Sequence, residues 1–199
     1  SKPLQMYVND FDKNGKTEHI ITTYKGKKAY PLIGRTDLVS QLPSLKKKYL
    51  KFNTYKEQTV SDIFGETLIN EALKLKVTTT ASSCFINNNG TFTEKTLPTE
   101  AQLSPMYAIA IEDFDADGIL DIISGGNFYW SKPEVGIHDG SRGIVLKGLG
   151  NGHFKNVKSN QSGVYIEGEI RNIVKVKTKK DNLFLFSRIN DSLVILKKN

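Results

Sequence analysis

The sequence predicts a mainly β fold with a helical insertion in its N-terminal half. Short runs rich in Val and Ile, bounded by Gly and Asn, recur along most of the 199 residues and are typical of strands. Residues 34–76 instead carry apolar side chains three to four positions apart, which is typical of amphipathic helices. A hydrophobic content of 38% and a charged content of 25% suit a globular protein of this class.

Two loops predict cation binding between strands. Each has oxygen-bearing side chains at positions 1, 3, 5 and 9 and glycine at position 6. Ca²⁺ takes about six to eight oxygen ligands, and the glycine lets the chain turn so that the carbonyl of position 7 points inward. The predicted ligands are Asp10, Asp12, Asn14, the Lys16 carbonyl and Glu18 in the first loop, and Asp113, Asp115, Asp117, the Ile119 carbonyl and Asp121 in the second.

These loops do not fit an EF-hand. That motif needs a bidentate Glu at position 12 and a helix on each side. Position 12 is Ile21 in the first loop and Ser124 in the second, and β-branched runs flank both loops. We therefore expect two Ca²⁺ sites, each in the loop of a β-hairpin.

The strand–loop–strand unit resembles the FG-GAP or VCBS repeat of calcium-binding β-propellers, which is found in integrin α-subunits and in bacterial relatives of cartilage acidic protein. Residues 120–127, of sequence LDIISGGN, and the hairpin Gly150–Phe154, of sequence GNGHF, also carry this resemblance. It covers about residues 4–24 and 77–160. The resemblance implies calcium at both loops and a partial β-propeller of about three four-stranded blades, the last incomplete.

On this interpretation, residues 1–199 form a single propeller segment. The strands of the first blade are expected near 4–9, 18–24, 78–87 and 91–96. Those of the second are expected near 106–112, 120–126, 143–149 and 153–157, and those of the third near 168–176, 182–188 and 192–197. Three blades cannot close a ring, so we expect either an open arc or a dimer formed through exposed strand edges.

The insertion at 34–76 is predicted to interrupt the first blade with two helical stretches. In the first, Thr36 is the expected N-cap and Pro43 divides the stretch into two pieces. The second stretch, about 60–75, begins after Thr59 or Ser61. A separate helical domain is the alternative, but about 40 residues are few to bury a core of their own.

Several functional classes are not expected. The net charge is +7, but only four of the 28 basic residues are Arg, and nucleic-acid binding usually needs Arg patches or stacking aromatics. No apolar run is long enough to span a membrane. There is no nucleophile elbow, phosphate-binding loop or dinucleotide motif, so no catalytic residue is predicted.

The segment Asn127–Arg142 is the candidate recognition loop, with Tyr129, Trp130 and Arg142 as its ligand-binding residues. The alternative is that its aromatic side chains are buried against the helices. We expect a non-catalytic adhesion or recognition protein with a glycan or protein ligand. Because such loops fill where Ca²⁺ is near millimolar, it is expected outside the cell, in the periplasm or on the cell surface. The alternative function is a propeller enzyme or enzyme subunit acting on polysaccharide through the same loop.

Overall fold

The structure is a computed structural model that describes residues 3–133 and 135–198. The prediction of a mainly β fold is confirmed, with 40% strand and 17% helix arranged around four antiparallel sheets, none of them closed. The chain divides into two compact units, one through Thr80 and one from Ala81.

The first unit is built on a four-stranded antiparallel sheet. Its strands are β1 (Leu4–Asn9), β2 (Glu18–Lys25), β3 (Lys28–Pro31) and β4 (Leu73–Val77), in the spatial order β3-β2-β1-β4. Tyr7 pairs with Ile20, and Asn9 pairs with Glu18 at the end of the β1–β2 ladder. Alternate residues of β2 point into the core, so the first predicted metal loop leaves from the end of a half-buried hairpin.

Helical segments fill the connection from β3 to β4. They are α1 (Arg35–Gln41), a 3₁₀ turn at Pro43–Lys46, a second at Phe52–Thr54, α2 (Val60–Phe64) and α3 (Glu66–Glu71). The predicted break at Pro43 is confirmed, since α1 ends before it. Of the two predicted starting residues, Thr59 and Ser61, it is Thr59 that caps α2, through a reciprocal pair of hydrogen bonds with Asp62. Thr36 is not an N-cap, because Gly34 precedes the first helical residue.

The apolar face of these helices packs on the sheet of the same unit. The buried cluster joins strand residues to helical ones, and its members are Tyr7, Phe11, Ile20, Leu38, Leu42, Tyr49, Val60, Ile63, Ile69 and Ala72. The Phe11 and Phe64 ring centroids are 4.2 Å apart. The helices therefore supply much of the first unit's core.

The predicted strand composition of the first blade is wrong. Residues 73–77, of sequence LKLKV, alternate apolar and basic side chains with the period of a strand, and they pair with β1 as β4. The helical prediction therefore fails over 73–75. The strand expected at 78–87 begins only at β5 (Ser83–Asn88), which pairs with β6 (Thr91–Thr96) alone, as a two-stranded hairpin in the second unit.

The second unit also contains a four-stranded and a three-stranded sheet, in which neighbouring strands follow each other along the chain. The first has β7 (Met106–Glu112), β8 (Asp121–Gly126), β9 (Ile144–Gly148) and β10 (Phe154–Val157). The second has β11 (Ile170–Lys177), β12 (Asn182–Arg188) and β13 (Val194–Lys197). A short helix, α4 (Ser159–Ser162), lies between them in sequence. The strand positions expected for the second and third blades are confirmed to within a few residues.

These two sheets share one core. Ala108 and Ile123 from the four-stranded sheet cluster with Ile173, Phe184 and Phe186 from the three-stranded sheet. Gly125 lies where the two sheets are in close contact, because a β-carbon there would be 2.4 Å from Cδ1 of Ile170 and 3.0 Å from its Cβ. A side chain at this position would therefore require Ile170 to shift.

Among the residues that the structure describes, no helix has the length and apolar character needed to cross a membrane.

Substituting Leu42→Ala should destabilise the first unit by about 2–5 kcal/mol, since a large buried side chain would leave a cavity. Leu42 is 1% exposed, whereas Leu50 is 71% exposed, so Leu50→Ala is the matched control and should change stability by no more than about 0.5 kcal/mol. Urea unfolding followed by circular dichroism measures both. Equal effects from the two variants would contradict the packing of the helices on the sheet.

Candidate metal centres

The first predicted metal loop joins β1 to β2 and is held by its own side chains. The Asp10 carboxylate accepts the backbone N–H of Asn14 at 2.9 Å and that of Gly15 at 2.7 Å. The Asn14 side-chain oxygen accepts the backbone N–H of Lys16 at 2.8 Å. Aspartate and asparagine commonly curl a chain in this way, by bonding to main-chain groups a few residues ahead.

The second loop, between β7 and β8, repeats this pattern position for position. The Asp113 carboxylate accepts the N–H of Asp117 at 3.1 Å and of Gly118 at 2.9 Å. The Asp117 side chain accepts the N–H of Ile119 at 2.9 Å. The likeness of the two sequences is therefore a likeness of local structure as well.

The two loops also share their backbone conformation. Position 4 has a positive φ in both, 59° at Lys13 and 60° at Ala116. Position 6 has φ of 84° at Gly15 and 85° at Gly118, where a residue other than glycine would be strained. Around this turn the carboxylates of positions 1 and 3 lie close together in both loops.

The position-9 carboxylates are buried and tie each loop to its sheet. Glu18 accepts the N–H of Phe11 at 2.9 Å, and Asp121 accepts the N–H of Phe114 at 2.8 Å. The second oxygen of Asp121 accepts the N–H of Gly148, on β9, at 2.7 Å. Both oxygens of Asp121 are thus already hydrogen-bonded to the main chain.

Two groups of carboxylates result. One oxygen each from Asp10, Asp12 and Glu18 lie within 4.8 Å of one another in the first loop. In the second loop the corresponding group is Asp113, Asp115 and Asp117, and Asp121 lies outside it. Either group could hold a metal ion. Asn14 and the carbonyls of Lys16 and Ile119 stay predicted ligands.

One atom of the first group has no hydrogen-bond partner within the described part of the protein. The Oδ1 atom of Asp12 is buried and has no hydrogen-bond partner among the described residues. An unsatisfied buried carboxylate oxygen is costly, and a bound cation would satisfy it. The donor set, made of carboxylates brought together by a turn, therefore fits a hard metal ion.

The second group has a positive partner that the sequence did not reveal. The Lys147 ammonium, on β9, contacts the Asp115 carboxylate and lies 2.9 Å from Oδ2 of Asp117. Hydrogen bonds from Lys147 and then from the Ile119 N–H hold the pKa of Asp117 below its usual value, while hydrogen bonds to Asp115 and Asp117 raise the pKa of Lys147. The strand pattern alone does not show which lysine reaches the loop.

The candidate recognition loop is exposed at its aromatic tip. Trp130 is 72% exposed and Tyr129 is 37% exposed. Phe128 is half-buried and exchanges two backbone hydrogen bonds of 2.8 Å with His138. Glu134, an acidic residue of this loop, lies outside the described residues.

Two buried residues that sequence reasoning missed fix the base of this loop. The Asn127 side chain donates to the carbonyls of Ser141 at 2.8 Å and Gly168 at 2.9 Å. The Glu169 carboxylate, 3% exposed, accepts the backbone N–H of Tyr129 at 2.9 Å. The Gly-Gly-Asn sequence at 125–127 was the available signal for Asn127, whereas nothing local marks Glu169.

Arg142, a predicted ligand-binding residue, is held by groups of the protein itself. Its guanidinium donates to the carbonyls of Asp139 and Ser141 and lies 3.4 Å from the Glu167 carboxylate. A hydrogen bond with Tyr165 is the main cause that raises its pKa. These contacts favour a role for Arg142 in holding the loop.

No protein-family model, curated protein or solved structure matches this chain. The resemblance to the FG-GAP or VCBS repeat therefore rests on the loop and hairpin residues and stays a prediction.

Substituting Lys147→Met should increase Ca²⁺ affinity at the second loop by about threefold to tenfold, because the ion would no longer compete with an ammonium for Asp115 and Asp117. Isothermal titration calorimetry measures the effect, and the first loop serves as an internal reference. Lys158→Met removes the same charge outside the metal group and is the matched control. Unchanged affinity at the second loop, or an equal gain from the control, would contradict the competition.

Proposed function

We propose that this chain is a calcium-stabilised segment of a β-propeller that recognises a glycan or protein ligand outside the cell and catalyses no reaction. The observation that carries the proposal is the repeated loop, which has the same hydrogen bonds and the same backbone turns at two places in the chain. The buried, unpartnered oxygen of Asp12 adds the need for a cation.

Calcium is the metal that this donor set favours. Both groups consist of carboxylates, and hard oxygen ligands suit Ca²⁺ or Mg²⁺, whereas thiolate and imidazole groups suit zinc and copper. Mg²⁺ requires near-ideal octahedral geometry and gives up its water reluctantly. A flexible loop that offers side-chain and main-chain oxygens is better suited to the larger ion.

A propeller blade is the supersecondary unit that best accounts for β7–β10. Four antiparallel strands that neighbour one another in chain order are the arrangement of a blade. The sheet β11–β13 has the same kind of order and packs against the first through a shared apolar core, as adjacent blades do. The first unit departs from this pattern, since β4 pairs with β1 after the helical segments.

The proposed role of the metal is structural. Each loop closes a β-hairpin, and its position-9 carboxylate is already hydrogen-bonded into the strand ends. A cation that bridges the remaining carboxylates would fix the hairpin end. Sites of this kind commonly bind in the range of extracellular Ca²⁺, which supports a location outside the cell.

Recognition is assigned to the Asn127–Arg142 loop. Exposed Trp and Tyr side chains commonly dominate binding energy, and Trp130 offers a large apolar surface to solvent. The loop base is held by Asn127 and Glu169, so little flexibility would be lost on binding.

Calorimetric titration of chelator-treated protein with Ca²⁺ should show two sites, and Asp115→Ala should remove one of them. A ligand that binds only the folded state stabilises it, so the melting temperature should be higher in Ca²⁺ than in chelator. At a Ca²⁺ concentration of about a thousand times the dissociation constant, the free energy of unfolding should increase by about 4 kcal/mol per site. A melting temperature that is the same in chelator and in millimolar Ca²⁺ would contradict the structural role.

If a ligand is found by glycan array or cell-surface pull-down, Trp130→Ala should weaken its binding at least about tenfold, a loss of about 1.4 kcal/mol or more. Ca²⁺ stoichiometry and unfolding should not change. Phe92→Ala, which removes another exposed aromatic ring in the second unit, is the control and should bind as the unaltered protein does. Product release from the bound glycan would instead support the alternative of an enzyme acting on polysaccharide.

A further inference from the structure

A cavity of about 700 Å³ opens between the two larger sheets of the second unit, next to the second metal loop. Its volume lies in the range of small-molecule sites, which is about 300–1,000 Å³. The second metal group reaches the cavity wall, because Asp115 belongs to that group and lines the cavity together with its ion-pair partner Lys147.

The cavity has an apolar interior formed by both sheets. The apolar side chains that line it are Phe114, Ile123, Val145, Val157, Val164, Phe184 and Leu196. The Phe114 and Phe184 ring centroids are 5.2 Å apart. A ligand with an apolar or planar face could therefore bury that face here.

The charged groups around the cavity are mostly basic. Four lysines line it, Lys147, Lys155, Lys197 and Lys198, against two acids, Asp115 and Asp121. Both oxygens of Asp121 accept main-chain N–H groups, which leaves Asp115 as the partner available to an ammonium.

The four lysines differ in their partners. Lys197 pairs with Asp181 at 2.7 Å, and Lys198 donates to the Asp113 carbonyl and lies 3.9 Å from Glu112. Lys147 is held by Asp115 and Asp117, both members of the second metal group. In the described parts of the chain, the Lys155 side chain has no ion-pair partner. A metal at the second loop would take the carboxylates of Asp115 and Asp117 and leave Lys147 in the cavity wall without its partners.

From this arrangement we propose that the cavity binds a small organic anion, one with a carboxylate or sulfate group beside an apolar face, and that metal binding at the second loop strengthens this binding through Lys147. The anionic group lies against Lys147 and Lys155, and the apolar face lies against the Phe114 and Phe184 side. The inference rests on the proposed Ca²⁺ binding at the second loop and adds a ligand class and a coupling to it. By thermodynamic reciprocity, the anion also increases Ca²⁺ affinity at that loop.

The test uses 1-anilinonaphthalene-8-sulfonate, a fluorescent aromatic anion, on the full chain with saturating Ca²⁺ and with chelator. Ca²⁺ should lower its dissociation constant about fivefold or more, the lower end of ordinary coupling between two sites. The uncharged counterpart N-phenyl-1-naphthylamine should show no such dependence, because it lacks the anionic group. Lys155→Met should weaken binding of the anion about fivefold, and Lys179→Met, which removes an exposed lysine elsewhere in this unit, should not.

Lys147→Met gives the decisive outcome. It should abolish the effect of Ca²⁺ on anion binding while the second loop still binds Ca²⁺ in a calorimetric titration of the same sample. Persistence of the Ca²⁺ effect in this variant, or equal losses from Lys155→Met and Lys179→Met, would overturn the inference. If Ca²⁺ binds at both loops but leaves the dissociation constant of the anion unchanged, the inference is also overturned, and the proposed function stands. Absence of calcium binding at the second loop would overturn both.

Discussion

The hydrogen bond from the N–H of position 2 to the carboxylate of position 9 is the interaction on which each metal loop depends. Position 2 is Phe11 in one loop and Phe114 in the other, and each ring packs into or against the apolar core of its own unit. The same residue thus holds the loop through its main-chain N–H and anchors it to the core through its side chain. Because Glu18 and Asp121 are buried, their carboxylate oxygens need these hydrogen-bond donors if they are not to be left unsatisfied.

The two loops differ in how their position-9 carboxylate is used. The first has a longer position-9 side chain, and Glu18 belongs to its carboxylate group. In the second, the shorter Asp121 uses both oxygens on main-chain N–H groups, and the group consists of positions 1, 3 and 5. The first loop contains a buried oxygen without a partner, whereas the second has an ammonium beside its carboxylates. Each turn brings negative charge together, and a divalent cation could neutralise the charge that the protein's own groups leave unpaired.

The helical segments show how one unit obtains a core that its sheet cannot supply alone. Leu38, Leu42 and Tyr49 are almost fully buried, and they cover the inward face of a sheet in which β2 buries every second residue. The exposed Leu73 and Leu75 of β4 show that this sheet is not covered everywhere. Burial of apolar area therefore explains the position of the helices better than helix propensity does, since the helices are only five to seven residues long.

The sequence by itself determined the features that depend on neighbours within about nine residues. It specified both loops, the break at Pro43 and the strands from β7 to β13, and it narrowed the cap of α2 to Thr59 or Ser61, because side chains that bond to nearby main-chain groups leave a local pattern. Tertiary structure decided the pairing of β4 with β1 and the contact of Lys147 with Asp115, which are 32 residues apart. It also decided the exposure of Trp130 and the bond from Glu169 to the Tyr129 N–H. These contacts depend on which strands become neighbours in space. The pattern of apolar and charged residues in a single strand does not identify the strand with which it pairs.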